Sequence, residues 1–113
     1  MPTRLEIHPA EGAWVIRAGG AVIGETSRAL EVTEGGYPPV LYIPREDIAM
    51  ALLDESRTRT ACPHKGEARY FTLVTKSGPV PDVAWSYETP ANGAGALTGH
   101  IAFYADKVTL ERI

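Results

Sequence analysis

The chain has 113 residues, 44% hydrophobic and 22% charged, the balance of an ordinary packed domain, which excludes disordered, collagen-like and coiled-coil classes. Eleven Lys and Arg against fourteen Asp and Glu leave a net charge of −3 and no broad positive field, so neither nucleic acid in general nor a membrane surface is an expected partner. One Cys closes no intrachain disulfide, Glu6, His8 and Glu11 interrupt any secretory pattern, and no apolar run approaches the roughly 20 residues of a bilayer span, so a single cytoplasmic domain over residues 1–113 is expected.

Gly and Pro punctuate short alternating runs along the chain, which is strand-and-turn spacing. The first hairpin runs from residues 13–17 through Ala18-Gly19-Gly20 to residues 21–25, since Gly supplies the positive φ of tight turns, and it places Trp14 and Ile16 on one face. Residues 28–33 set Leu30 and Val32 against Glu31 across the strand, and residues 34–39 follow as a Gly- and Pro-rich loop. Residues 40–43 form a β-branched and aromatic strand that Pro44 closes. A short helix is then expected to Leu53, with Glu46 and Asp47 in its first turn and Ile48 and Leu52 on one face.

Residues 57–61 and 68–75 make a hairpin around the loop Cys62-Pro63-His64-Lys65-Gly66. In residues 83–87, Val83, Trp85 and Tyr87 share a face. Residues 89–95 are loop, residues 99–104 put Ile101 and Phe103 together, and residues 107–112 form the last strand. About eight strands with one short helix define a mainly β fold, either a small barrel or a folded two-sheet structure, because closing or doubling the sheet hides strand edges.

Four blocks stand out in order along the chain: Tyr42-Ile43-Pro44-Arg45-Glu46-Asp47, Cys62-Pro63-His64-Lys65-Gly66-Glu67-Ala68-Arg69-Tyr70, Ala84-Trp85-Ser86-Tyr87-Glu88-Thr89-Pro90 and Gly99-His100-Ile101-Ala102-Phe103-Tyr104. Together they resemble the domain of unknown function 427 family, small bacterial proteins sometimes labelled nucleotidyltransferase-like, over residues 11–113. The resemblance implies a compact β structure with a short helix. Nucleotidyl transfer generally needs two metals held by two or three carboxylates, with a Gly-Ser turn for the triphosphate. This sequence has no Asp-x-Asp pair, and Glu46 and Asp47, being adjacent, would project about 100° apart on a helix.

Cys62 is the candidate nucleophile, since nearby His64 and Lys65 would favour its thiolate, and its alternative role is that of a small hydrophobe at a turn. One Cys with three scattered His falls short of a structural zinc set, so no metal is expected and the sequence specifies no cofactor. Lys65-Gly66 suits an anion, through a compact charge beside an approachable backbone, or equally a turn that needs Gly. Arg45 could supply a second anion-gripping arm, or pair with Glu46, Asp47 or a neighbouring strand. Asp47 is either a ligand contact or a helix-dipole partner.

The aromatics Tyr42, Tyr70, Trp85, Tyr87, Phe103 and Tyr104 would line a cavity or build a core. His8 is expected in solvent, and His100 as a core or edge histidine. Three functions fit: a small-ligand binding domain, an enzyme using Cys62 or Lys65 and Arg45 with Asp47 or His64 as acid or base, and an interaction or structural domain. The first is adopted, with an anionic metabolite or nucleotide as ligand. Its binding residues are Tyr42, Arg45, Asp47, Lys65, Gly66, Tyr70 and Trp85, its catalytic candidates are Cys62, His64 and Lys65, and it requires Arg45 and Lys65 to share one concavity.

Overall fold

In the computed structural model, which describes residues 5–113, the strands in chain order are β1 (Leu5–Pro9), β2 (Trp14–Ala18), β3 (Ala21–Thr26), β4 (Leu30–Glu34), β5 (Val40–Pro44), β6 (Leu53–Cys62), β7 (Gly66–Thr75), β8 (Gly78–Tyr87), β9 (His100–Phe103) and β10 (Thr109–Arg112). All pairings are antiparallel. Seven strands form one sheet in the order β1-β4-β5-β9-β8-β7-β6, and three form a second in the order β10-β2-β3. This is the folded two-sheet form of the expected β architecture; no barrel closes.

Period-two alternation assigns each side chain of the large sheet to one of two apolar layers. On the inner face Ile43, Phe71, Leu73, Ile101 and Phe103 meet Ile16, Ala18 and Ile23 of the small sheet, giving an aliphatic and Phe core. On the outer face Val32, Tyr42, Ala68, Tyr87 and Ala102 are covered by Ala94 and Leu97 of the β8–β9 connection. The same strand therefore feeds both layers: in β5, Tyr42 faces out and Ile43 faces in, and both are essentially inaccessible.

The helix expected after Pro44 is instead two 3-10 turns, Arg45–Asp47 and Met50–Leu52. Between them Ile48 is extended (φ −119°, ψ 142°), pairs with Gly24, and is followed by an Ala49 N–H that donates to the Ile23 carbonyl at 2.8 Å. Pairing with β3 thus overrides the helical periodicity of Ile48 and Leu52, because sheet hydrogen bonds hold the middle of the segment extended. The close approach explains Gly24, where a Cβ would sit 2.9 Å from the Asp47 carbonyl oxygen. The segment is a strap that ties the small sheet to the large one.

Two strand features were not expected. β1 pairs with β4, from Leu5 opposite Glu34 to Pro9 opposite Leu30, and β6 begins at Leu53, where the helix was expected to end. Most of β6 is exposed at the sheet edge and carries Glu55, Arg57 and Arg59, charges that discourage edge-to-edge pairing. A third correction concerns Val83, which packs into the inner core while Trp85 and Tyr87 belong to the outer layer. Between the Phe71–Ala84 and Leu73–Val80 pairs β8 carries extra residues, including Asp82 at φ 47°, and this irregularity breaks the alternation.

Candidate functional site

The outer layer is organised by a row of side chains that crosses five strands. Leu30 pairs with Tyr42, Tyr42 with Ala102, Ala102 with Trp85, and Trp85 with Tyr70. The small Ala102 leaves room above β9 for the rings on either side to meet. Tyr42 and Trp85 make an edge contact at 6.3 Å between centroids, and Trp85 Nε1 donates to the Tyr42 hydroxyl at 3.1 Å. Trp85 also lies 4.6 Å from Tyr104, and the Tyr70 and Thr60 hydroxyls are 2.9 Å apart.

Burial raises the Tyr42 phenol, and burial followed by the Tyr42 and Cys62 charges pushes Tyr87 up strongly. Tyr104 is pushed up to about 12 by desolvation and its hydrogen bond with Tyr70. All three are neutral hydroxyl groups at physiological pH.

The β6–β7 turn folds back over this layer. Its Lys65 reaches Glu34 at the end of β4, even though β5, β9 and β8 separate β4 from β7 in the sheet. The ammonium and carboxylate are 3.0 Å apart, with side chains only 15% and 18% exposed, and Lys65 Nζ lies 5.6 Å from the Tyr87 ring centroid. Burial opposes the charge on Lys65, but Tyr42, the bond and charge of Glu34, and Cys62 together outweigh it, so the Lys65 pKa is raised.

Gly66 closes the turn at φ 110°, and a Cβ there would meet the Thr89 carbonyl oxygen at 3.1 Å and the Ala91 nitrogen at 3.2 Å. Ala91 N–H donates to the Lys65 carbonyl at 2.9 Å. Gly66 therefore serves the docking of the β8–β9 connection on this turn, which accounts for it without an anion.

Beside this turn lies an open cleft of about 630 Å³, whose walls are the loop around Tyr37, Pro38 and Pro39 and the turn residues Cys62, His64 and Lys65. Cys62 is partly buried and His64 exposed. Both face this cleft, but among the described residues no hydrogen bond joins them, so the nucleophile-base pairing is not assembled. Tyr37 is 73% exposed and forms the outer lip.

Arg45 belongs to a different place. Its Nη2 donates to the Ser86 hydroxyl at 3.1 Å and to the Glu88 carboxylate, to which the Ser86 hydroxyl also donates. Its guanidinium stands 5.6 Å from the ring of Phe71, an inner-core residue, and its buried Nε has no partner among the described residues. Ser86, between the outward Trp85 and Tyr87, is itself buried and points inward. Arg45 and Lys65 thus lie on opposite faces of the large sheet, each neutralised by a carboxylate, and the structure does not bring them to one concavity.

Asp47 is likewise occupied, accepting from the Thr26 hydroxyl at 2.6 Å and from Arg28 at 3.0 Å, and these bonds, Thr26 first, hold its carboxyl below the usual range. It fastens the strap to β3. Of the expected binding residues, Tyr42, Tyr70 and Trp85 share the outer layer with Lys65 and Gly66, whereas Arg45 and Asp47 do not. His8 is exposed, and His100, half-buried, has Nδ1 3.0 Å from the Thr98 carbonyl.

Glu34, Ser86 and Glu88 were not singled out by sequence. Ser86 and Glu88 had a signal, since alternation with Trp85 and Tyr87 turns both toward the inner face. Glu34 had none, because its partner lies across three intervening strands.

The fold and site define a two-sheet antiparallel β domain with an aromatic outer layer and an ion pair beside an open cleft. The chain matches the family described as Domain of unknown function (DUF427), which carries a nucleotidyltransferase-type label, over residues 6–113, and it belongs to that family. Comparison with curated proteins returns no match. No helix among the described residues is long and apolar enough to cross a membrane.

Proposed function

We propose that this domain is a small-ligand binding module, acting in the bacterial cytosol, whose ligand sits in the cleft between the Tyr37–Pro39 loop and the Cys62–Lys65 turn, with Glu34 beside Lys65 in place of the second arm expected from Arg45. The observation that carries this is the Glu34–Lys65 pair, a largely buried ion pair beside a cleft large enough for a metabolite. A simple anion has to compete with Glu34 for the ammonium. A nucleotide suits the pair better, since it offers anionic oxygens to Lys65 and base N–H groups to Glu34, and exposed Tyr37 and Pro38 give a flat ring something to lie against.

Within this site Cys62 and His64 face the same cleft as Lys65, which favours one secondary reading, a thiol nucleophile acting on the bound ligand. Rapid alkylation of Cys62 at pH 6 supports that reading, and sluggish alkylation removes it.

The test of binding is a thermal-shift screen of wild type, Lys65→Ala and Glu34→Gln against nucleoside triphosphates, sugar phosphates and citrate, with and without Mg²⁺. A ligand selective for the native state raises the midpoint in proportion to its saturation, by about 2.7 kcal/mol of stability at a hundredfold excess over Kd. The expected result is a nucleotide-dependent rise in wild type that is lost in Lys65→Ala and diminished in Glu34→Gln. The opposite result is no rise with any compound in wild type.

A further inference from the structure

A second concavity lies at the other end of β7. The ten residues of β7 extend over roughly 30 Å, separating the Cys62–Gly66 turn at its start from the β7–β8 turn at its finish. There, the Gly19-Gly20 turn of the small sheet faces the Thr75–Gly78 turn of the large one across a cleft of about 580 Å³. Its floor is inner core, with Ile23 and Leu73 almost wholly buried. Its mouth holds Leu52, 38% exposed, with Ala21 and the partly buried Val80 beside the floor.

The polar complement of this cleft has one sign. Its ionisable lining residues are Lys76 and Lys107, with no carboxylate among them. Lys107 is anchored, donating to the Pro81 carbonyl at 3.1 Å and the Asp82 carbonyl at 3.4 Å. Lys76 makes no ion pair or hydrogen bond among the described residues. It stands on a turn braced by the Thr75 hydroxyl, which donates to the Gly78 carbonyl at 2.7 Å. An apolar trough opening between two sheets, with an unpaired ammonium at its rim, is complementary to an amphiphile with one anionic end.

We propose that this cleft binds the acyl chain of a free medium-chain carboxylate, with the chain over Ala21, Leu52 and Val80 above the Ile23 and Leu73 floor and the carboxylate at Lys76. The probe is monomeric decanoate, titrated calorimetrically into the full chain below the concentration at which it forms micelles. Wild type is expected to bind decanoate, with each methylene removed weakening binding about fourfold. Lys76→Glu is expected to weaken it at least tenfold, and Ala21→Trp, at an exposed lining position, to block the trough.

Decyltrimethylammonium, with the same chain and the opposite charge, is expected not to bind wild type. Native thermal unfolding of each variant separates lost binding from lost folding. The proposal is overturned by failure of wild type to bind decanoate, by equal affinity for the cationic amphiphile, by undiminished affinity in folded Lys76→Glu, or by attachment to anionic vesicles without binding of the monomer.

Discussion

The two faces of the large sheet solve the same burial problem with different chemistry. The inner face is mainly aliphatic and Phe, packed against a second sheet, with the Arg45–Ser86–Glu88 cluster as its polar member. The outer face is built from Tyr and Trp rings with small Ala residues between them, covered by a turn and an irregular connection rather than by strands. A layer of rings with hydroxyl and indole tips tolerates partial hydration and polar neighbours. The mostly buried Glu34–Lys65 pair and its cleft lie on this outer face.

The sharpest break in this comparison comes from emptying the inner layer. Ile43→Ala, at a position with no accessible surface, is expected to cost about 2–5 kcal/mol in urea unfolding, because the two sheets leave little room for collapse. Alkaline pH attacks the outer layer alone. A folded pKa raised above the ordinary value of 10.0 contributes stability that is complete below pH 10 and lost as pH rises through the folded value, which for Tyr104 is about 12. Tyr42 and Tyr87 are shifted in the same direction. Stability measured by denaturant midpoints should therefore fall above pH 10, with phenolate absorbance rising together with unfolding.

Overfilling tests the spacing of the aromatic row. Ala102→Leu forces Tyr42 and Trp85 apart and is expected to cost about 1–3 kcal/mol, with an altered Trp85 emission. Tyr42→Phe keeps the ring and removes only the acceptor for Trp85 Nε1, at a cost of about 1 kcal/mol in the same unfolding assay. The smallest effect belongs to the strap. Asp47 is depressed below its ordinary 3.8, so its stabilisation is present above that pH and is lost as pH falls through the lower folded value. Asp47→Asn should flatten the acid limb of the stability profile, as followed by circular dichroism, and leave the alkaline limb unchanged.

Much of the fold was legible because it depends on local pattern. The Gly19-Gly20 hairpin, the Cys62–Gly66 turn between strands, and the pairing of Ile101 with Phe103 on one face all follow from turn chemistry and alternation. The failures sit where tertiary pairing decides. The expected helix became a strap because β3 claims the backbone around Ile48, and Val83 left the face of Trp85 because of the irregularity at Asp82. The candidate cleft was legible only in its turn: Cys62, His64 and Lys65 line it, whereas Tyr42, Tyr70 and Trp85 do not. Tyr42, Tyr70, Trp85, Lys65 and Gly66 do gather on one face, but a sequence gives no parity between Arg45 in a 3-10 turn and Lys65 in a hairpin turn, and that parity puts them on opposite faces.

The most direct test of the ligand cleft is an amide NMR titration of the wild-type chain with adenosine and guanosine triphosphates. Saturable shifts confined to Glu34, Tyr37, Val40 and the Cys62–Gly66 turn, weakened in Glu34→Gln and absent from Lys65→Ala, are the predicted result. Saturable shifts centred instead on Arg45, Ser86 and Glu88, or no saturable shifts with either nucleotide, would contradict it.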